Sequence, residues 1–278
     1  EYHMKFSAAN TKLKKLYKLD TTVLKKWLGQ KIGRSTAKVY SFDLLSGVDC
    51  PFAMKCKSEA EVQEDGRRKI KDGPDTEFRC FSASQEVLFT TAYNARKRNH
   101  DAIHALETSD DIADALIAAL PKDAGIIRIH VAGDMFSHKY FMAWIKVAER
   151  TPNVLFYAYT KSLVYWVRSR DSVPFNLVLT ASYGGRNDEL IAEHGLRSAK
   201  VVYSEAQAER MGLEIDHDDS HACDPTRANQ DFALLIHGVQ PKGSLAADAL
   251  KILKKGDLAD SEQVSDLEDK LLAQEAHR

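Results

Sequence analysis

An alternation of strand-like and helix-like segments in the second half of the chain constrains its fold more than any other feature. Apolar, β-rich runs recur there in the order IIRIHVAG, VLFYAYTKS, FNLVLTAS, AKVVYSE and DFALLIHG. The first four are each followed by a segment with helical periodicity. Parallel strands joined by crossover helices produce this rhythm, and strands covered on both faces are almost continuously apolar. With an earlier run, KVYSFDL, the pattern predicts an α/β fold whose parallel strands form a full or partial (β/α) barrel.

Composition divides the 278 residues into three parts. Residues 1–37 concentrate lysine and arginine and have apolar residues at helical intervals, which predicts a basic helical extension. Residues 38–255 carry the alternation and predict a catalytic domain that is long enough to bury one large core. Residues 256–278 are charged and predict a helical tail.

The sequence contains no run of about 18 apolar residues, the length that crosses a bilayer. It also has no charged-then-apolar leader typical of a signal peptide. We therefore expect a cytoplasmic protein with no membrane partner. The sequence leaves the oligomeric state open.

Cysteine spacing suggests a metal centre. The chain has four cysteines, too few for a disulfide scaffold of this length. Cys50 and Cys56 lie in a turn-rich loop after the first predicted strand, and Cys80 follows a charged segment, residues 59–77, that we expect to be an excursion or hairpin. Three thiolates brought together in this way favour zinc or an iron–sulfur cluster over magnesium or calcium.

A fourth ligand would decide the kind of centre. Cys223, His217 or His221 could complete a closed, structural zinc site. With three cysteines alone, a zinc ion or a four-iron cluster keeps an open position for catalysis. The alternative is that the cysteines are ordinary buried thiols, since free cysteine is among the most buried residue types.

Polar residues follow the carboxyl ends of the predicted strands, where the sites of parallel α/β proteins form. We predict Asp134 and Lys161 as catalytic residues. The predicted cofactor-binding residues share this position at strand ends or lie beside a cysteine; they are Gly133, Ser162, Ser182, Glu205 and Arg79. His130 precedes Asp134 by four residues, so we expect both to face the same side if the strand persists.

A second cluster of titratable residues occurs late in the chain. Its members are close in sequence and next to Cys223; they are Asp216, His217, Asp218, Asp219 and His221. Such a set could bind divalent metals whose bound water attacks a substrate, with His217 and Asp218 as catalytic residues. The alternative is a solvated acidic turn, because aspartate is common in turns.

Several segments carry a resemblance to a known family. They are SFDLLSGVDCPFAMKC, FRCFSASQE, IRIHVAGDMFSHKYFMAW, LFYAYTKS, NLVLTAS, EIDHDDSHA and FALLIHGVQPKGS. Over roughly residues 40–245 the chain resembles a family of mostly uncharacterised bacteriophage proteins. That family is in turn similar to radical S-adenosylmethionine barrels, in which a loop after the first strand holds an iron–sulfur cluster through three cysteines. The resemblance implies an iron–sulfur cluster, S-adenosylmethionine as a cofactor, and a nucleic-acid or nucleotide-derived substrate in the cytoplasm of an infected host cell.

Four functions are compatible with these features. The first is a radical-type iron–sulfur enzyme acting on nucleic acid or a nucleotide-derived molecule. The second is a transferase that exchanges bases in DNA or RNA, similar to barrel transglycosylases, with structural zinc and Asp134 or Asp218 as nucleophile. The third is a metal-dependent nuclease or hydrolase built on the late Asp and His cluster. The fourth is a non-enzymatic protein whose basic N-terminal helices bind nucleic-acid phosphates.

Overall fold

The computed structural model describes residues 3–18, 37–256 and 261–276. The strands in this part of the chain are β1 (Ser7–Ala8), β2 (Lys38–Phe42), β3 (Ser58–Val62), β4 (Arg68–Asp72), β5 (Ala124–Ile129), β6 (Leu155–Thr160), β7 (Leu177–Ser182), β8 (Ser198–Val202), β9 (Glu214–Ile215) and β10 (Phe232–Leu235). The α-helices are α1 (Phe81–Leu88), α2 (Thr90–His104), α3 (Ser109–Ala119), α4 (His138–Arg150), α5 (Leu163–Arg168), α6 (Glu189–Glu193), α7 (Glu205–Arg210), α8 (Ser220–Cys223), α9 (Leu245–Lys255) and α10 (Ser261–Ala276). Short 3-10 helices occupy Leu13–Lys18, Arg170–Ser172 and Pro225–Arg227.

One eight-stranded sheet organises the fold, in the order β1-β2-β5-β6-β7-β8-β10-β9. Strands β2, β5, β6, β7, β8 and β10 run parallel and lie side by side in chain order. The predicted α/β class with parallel strands is thus confirmed. Strand β1 pairs antiparallel with β2 at one edge, and β9 pairs with β10 at the other. Because β1 and β9 do not pair in the described structure, the sheet is open, and the full barrel is wrong.

The two faces of the sheet have separate cores. On one face, α4 packs a broad apolar stripe that includes Tyr140 and Trp144 against Phe156 of β6. The Ser137 side chain caps this helix by accepting a hydrogen bond from the Tyr140 backbone N–H at 3.1 Å. Burial of such aromatic side chains contributes roughly 1.5–3 kcal/mol each. The helix therefore fixes the position of the loop between Ile129 and Ser137.

The opposite face of the sheet is covered by Leu13 and Leu16 of the first 3-10 helix and by Ala222 and Cys223 of α8. Both leucines are essentially inaccessible to solvent. The described part of the N-terminal segment thus packs into the body of the protein. Residues 19–36 of the predicted basic helical extension lie outside the described residues.

Local conformation is irregular in two places. The helical segment that follows Cys80 is divided in two, because Phe89 between α1 and α2 is extended, with φ at −119°. Strand β5 ends at Ile129, and His130 adopts a left-handed φ of 71°. The expectation that His130 and Asp134 face the same side is therefore wrong, because the strand does not persist to Asp134.

The charged segment between Cys56 and Cys80 forms the predicted hairpin. Strands β3 and β4 pair antiparallel, with Ser58 opposite Asp72. The hairpin returns the chain so that the backbone N–H of Cys80 lies 3.4 Å from the Ser58 hydroxyl. Cys80 is thereby carried back toward the loop that holds the other two cysteines. Within the described residues, no helix combines the length and apolar character needed to cross a membrane.

Candidate functional site

Three cysteines share a partly buried pocket at the carboxyl end of the parallel strands. Cys50 and Cys56 lie in the loop that follows β2, and Cys80 immediately precedes α1. Burial raises the pKa of the Cys50 thiol well above its ordinary value, and Asp134, Cys80 and Cys56 raise it further. Burial also raises the pKa of Cys56, against a lowering effect of Lys161. The three thiols, the Asp134 carboxyl and the Lys161 ammonium are therefore close enough to influence one another electrostatically.

The loop between Cys50 and Cys56 is docked onto the turn that follows β7. The backbone N–H groups of Met54 and Lys55 both donate to the Gly184 carbonyl, at 3.1 and 3.0 Å. In return, the Arg186 N–H donates to the Phe52 carbonyl at 2.9 Å. These bonds fix the loop by backbone contacts, which do not depend on the side chains that surround the thiols.

Asp134 joins the ends of β5 and β6. Its Oδ1 accepts hydrogen bonds from the Thr160 hydroxyl at 2.6 Å and the Met135 N–H at 2.7 Å. Its Oδ2 accepts from the Lys161 N–H at 2.8 Å. Burial raises the pKa of Asp134, and these three hydrogen bonds act against that increase. The carboxyl group is thus held in one orientation beside Cys50.

Lys161 and Ser182 bring the ends of β6 and β7 into the same pocket. The Lys161 Nζ donates to the Ser182 hydroxyl, and the lysine is only 9% exposed. Ser162 is fully buried, and its hydroxyl donates to the Met135 carbonyl at 2.6 Å. Lys161 and Ser182 therefore present polar atoms at this pocket, whereas the Ser162 side chain ties two strand-end loops together.

Gly133 allows the loop that carries Asp134 to approach the end of β2. Its φ is +88°, and a Cβ atom would lie 2.7 Å from the Leu44 Cβ and 3.3 Å from the Leu44 backbone. We expect Gly133→Ala to lower the free energy of unfolding by roughly 2–3 kcal/mol, since strain and a backbone clash combine. Denaturant unfolding measures this. The matched control is Gly212→Ala, which has a φ of +65° but no heavy atom within 4 Å of the added Cβ. Equal losses in the two variants would rule out a role for close packing at Gly133.

The two other predicted cofactor-binding residues have different surroundings. Arg79 forms an ion pair with Asp72 at 2.6 Å, and its backbone N–H donates to the Gln240 side chain at 2.7 Å. Glu205 is exposed at the first position of α7, which is capped by the Ser204 hydroxyl. Arg79 thus supports the segment that leads to Cys80, while Glu205 lies at a helix N-terminus, where its negative charge is favourable.

The structure does not bring Cys223 to the three-thiol pocket. Cys223 is completely buried in the core formed with Phe232. Burial raises the pKa of its thiol, and the next contributor is Asp219. His221 is likewise engaged locally, with its ring nitrogens 2.8 Å from Glu214 and 3.2 Å from Asp216. Both residues therefore belong to the late cluster and lie apart from Cys50, Cys56 and Cys80.

The late cluster is organised as a buried ionic network and a capping turn. Asp219 has no exposed side-chain surface and pairs with Arg128 and Lys12, each at 2.8 Å. Asp218 accepts a hydrogen bond from the Ser220 N–H at the start of α8 at 2.9 Å. His217 is exposed, and its carbonyl accepts a bond from Lys15. The positive partners already compensate Asp219, so the geometry favours the structural interpretation of this cluster.

Glu86 supports the Cys80 side of the pocket. Its carboxylate accepts hydrogen bonds from the Ser46 N–H and from Arg96, both at 3.0 Å, and the Ser46 hydroxyl lies 3.4 Å from the Cys80 sulfur. Burial raises the pKa of Glu86 to about 7, against the lowering effect of Arg96. The folded state therefore binds a proton that the unfolded chain releases near pH 4.5. The contribution of Glu86 to stability thus falls as the pH rises from about 4.5 to about 7.

We expect Glu86→Gln to remove this pH dependence. Gln keeps an oxygen acceptor for the Ser46 N–H and does not ionise. As the pH rises from about 5 to about 8, the unfolding free energy of the parent protein should fall because of Glu86. In the variant this decrease should be smaller by up to about 3 kcal/mol. Denaturant titrations at both pH values give the difference, with exposed Glu61→Gln as the control. A Glu86→Gln profile parallel to the parent would contradict the prediction.

One cluster was missed in the sequence. The side chains of Asp49, His100 and His104 converge, with all three ligand-type atoms within 4.8 Å of one another. The three cysteine sulfurs do not form such a compact set. Two histidines four residues apart on one helix face were the available signal. The carboxylate comes from the distant cysteine loop, so sequence spacing alone could not complete the set.

Fold and site together define an open, mostly parallel α/β protein with a three-thiol pocket at the carboxyl ends of its strands. The chain matches the family described as Gene product 88 over residues 4–255, and it belongs to that family. This agrees with the resemblance to bacteriophage proteins. No curated protein and no solved structure matches the chain.

Proposed function

We propose that the protein is a radical-type iron–sulfur enzyme in which Cys50, Cys56 and Cys80 hold a four-iron cluster. The observation that carries this proposal is the convergence of three thiols from two distant segments on one pocket with Asp134 and Lys161. Sulfur ligands of this softness suit iron–sulfur clusters and zinc. The proposal extends to a cytoplasmic location in an infected host cell.

A single zinc ion requires thiols that are closer together than those of this protein, so a cluster is the better-suited soft-ligand centre. Thiolates bound to one zinc at about 2.3 Å lie roughly 3.8 Å apart in a tetrahedral site. The sulfurs of Cys50, Cys56 and Cys80 are not all within 4.8 Å of one another. Cysteines that hold a four-iron cluster bind different irons and therefore stand farther apart. With Cys223 in a separate core, three cysteines leave one iron free of a protein thiolate.

The charges around the pocket suit such a centre. A cluster with three thiolates is anionic, and the Lys161 ammonium already favours the charged form of Cys56. One-electron transfer to a cofactor at the open iron is the chemistry that the cluster supplies when bound. Lys161 and Ser182 would bind and orient the polar groups of that cofactor, and S-adenosylmethionine is the candidate. Asp134 is proposed to position Lys161, because both its oxygens accept hydrogen bonds.

The order of the strands also supports the proposal. Six parallel strands lie side by side in the sheet in the same order as in the chain, and the cysteine loop follows the first of them. We infer that this open parallel sheet is a partial (β/α) barrel. In that arrangement every strand-end loop converges on one face, which is where the enzymes of barrel folds have their active sites.

A nucleic-acid or nucleotide-derived substrate is supported by a cavity beside the cysteine loop. The cavity has a volume of about 350 Å³ and is lined by Lys55, Tyr183 and Lys200 together with the acidic Glu77 and Asp188. Lys55 pairs with Glu77 at 2.7 Å, and Lys200 lies over the Tyr183 ring, so a ligand would have to compete for both lysines. The size of the cavity lies within the range of small-molecule sites. Aromatic rings that stack on bases and lysines that bind phosphates are common in nucleotide recognition.

Anaerobic reconstitution of the full chain with iron and sulfide tests the proposal. We expect about four irons and four sulfides per chain, a visible charge-transfer absorption, and an electron paramagnetic resonance signal after reduction. Addition of S-adenosylmethionine should change that signal if the cofactor binds the open iron. One tightly bound zinc with no incorporation of iron would overturn the proposal and favour a structural zinc centre.

A further inference from the structure

A second cluster of metal-ligand type lies on the far side of the turn that leads to Cys50. Asp49 comes from this turn, while His100 and His104 are four residues apart on α2. The Asp49 Oδ1 lies 2.9 Å from both the His100 Nδ1 and the His104 Nε2. Two imidazoles thus meet at one carboxylate oxygen.

The buried charge of Asp49 calls for compensation. Its side chain is 1% exposed, and in the described structure its ion pairs are with His100 and His104. The described residues place no lysine or arginine against this carboxylate, so its compensation comes from the two imidazoles. A bound cation between the carboxylate and the imidazoles would supply the same compensation.

Orientation of the ligands is already set. The Leu45 N–H donates to the Asp49 Oδ2 at 2.9 Å, which fixes the carboxylate. Oδ1 is directed at both histidines, and the His100 Nδ1 is also 2.9 Å from Oδ2. The His104 ring stacks on Phe136 at 4.1 Å between ring centroids. Preformed orientation of this kind lowers the cost of assembling a metal site.

The separations are close to those of bound ligands. Oxygen and nitrogen ligands about 2.0 Å from a tetrahedral ion stand roughly 3.3 Å apart, so each imidazole nitrogen needs to move only a few tenths of an ångström from the Asp49 Oδ1. The two imidazole nitrogens lie within 4.8 Å of each other. The His104 side chain is 39% exposed, and the cluster is therefore reached from solvent. Three protein ligands and an accessible face are typical of sites that keep a position for water or substrate.

We propose that Asp49, His100 and His104 bind a divalent transition-metal ion, of the zinc or iron(II) class, at a site separate from the three-thiol pocket. Two imidazoles and one carboxylate are the ligands that these ions accept, whereas calcium and magnesium prefer all-oxygen sites. Because Asp49 and Cys50 are adjacent in sequence, metal binding orders the same turn that carries the first cysteine.

Cobalt(II) titration of the full chain tests the site. Thiolate ligands add intense charge-transfer absorption in the near ultraviolet, whereas imidazole and carboxylate ligands give weaker visible bands alone. We expect the parent protein to bind one more equivalent of cobalt than His104→Ala, and the difference spectrum to lack thiolate charge transfer. His104→Gln, which keeps a hydrogen-bonding side chain of similar length, should lose the same equivalent. The matched control, His138→Ala, removes a histidine from the Ser169 contact and should bind as the parent does.

Equal cobalt stoichiometry in the parent, His104→Ala and His104→Gln would overturn the proposal. Asp49, His100 and His104 would then serve only as a hydrogen-bonded group that holds the turn against α2. Circular dichroism and thermal melting confirm that each variant is folded. This outcome is independent of the proposed iron–sulfur function. Failure of the thiol site removes the charge-transfer bands, whereas failure of the histidine site removes the weak visible bands.

Discussion

Serine at position 50, 56 or 80 should abolish the incorporation of an iron–sulfur cluster. Each substitution removes one of the three thiolates, and a hydroxyl is a hard, poorly acidic replacement for a soft ligand. Because Cys50 and Cys56 lie on a loop held by backbone bonds to Gly184, the loop itself should keep its conformation. We expect the iron content after anaerobic reconstitution to fall from about four per chain to a small fraction of one in each variant.

Cys223→Ser provides the matched control. It makes the same chemical change in the same chain, but its thiol is buried between Phe232 and the late Asp cluster. Stability should fall by roughly 1–3 kcal/mol, because a hydroxyl enters an apolar core, and the iron content of the folded protein should not change. Retention of a full cluster in any of Cys50→Ser, Cys56→Ser or Cys80→Ser would contradict the proposed ligand set. Loss of the cluster in Cys223→Ser would show that four cysteines are needed.

The sequence was informative about the sheet because buried parallel strands leave a strong local signature. The runs from residue 126 to 238 all contain strands of the main sheet, and their predicted partner helices are present. Closure of a barrel has no such signature. It depends on pairing between the first and last strands, and here β1 and β9 occupy these edges. Both are two-residue strands that carry too little pattern to be detected.

Chain order determined which of the predicted residues lie close together. Parallel strands end at one edge, so the sequence could bring together Asp134, Lys161 and Ser182, and the hairpin brings Cys80 back toward Ser58. The position of residues that fold onto a face of the sheet could not be predicted from chain order. Cys223 and His221 follow later strands, but their short helix folds onto the face of the sheet and away from the strand-end pocket. Density of acidic residues also could not reveal that Arg128 and Lys12 neutralise Asp219.

Substitution of Asp219 by asparagine should cause the largest loss of stability among the changes considered. Asp219 is fully buried and receives Arg128, Lys12 and the Tyr157 hydroxyl, each at 2.8 Å. Removal of its charge leaves the Arg128 guanidinium, whose side chain is only 16% exposed, without its ion-pair partner, which typically costs about 3–5 kcal/mol. Asparagine is the appropriate replacement, because Asp219 has a left-handed φ of 63° that asparagine tolerates better than alanine. The loss is therefore electrostatic and not conformational. Denaturant unfolding at neutral pH measures it.

The pH dependence of the parent protein provides a second measure of the same network. Burial opposes ionisation of Asp219, but Arg128 and Lys12 outweigh it and lower its pKa from 3.8 to about 2. A carboxyl whose pKa is lower in the folded state stabilises that state above the unfolded pKa. This stability, about 2–3 kcal/mol, is lost as the pH falls from about 4 toward about 2. The Asp219→Asn variant should lack this component of acid unfolding.

Asp218→Asn is the control for Asp219→Asn. The two residues are adjacent, and Asp218 accepts the Ser220 N–H, a bond that an asparagine side chain also makes. We expect a loss of less than about 1 kcal/mol, since asparagine and aspartate both accept a hydrogen bond from the N–H two residues on in such a turn. Comparable losses in the two variants would contradict a buried ionic network centred on Asp219. A large loss confined to Asp219→Asn would support a structural role for this cluster. Asp219 would then be held by Arg128 and Lys12 and would not be available to a catalytic metal ion.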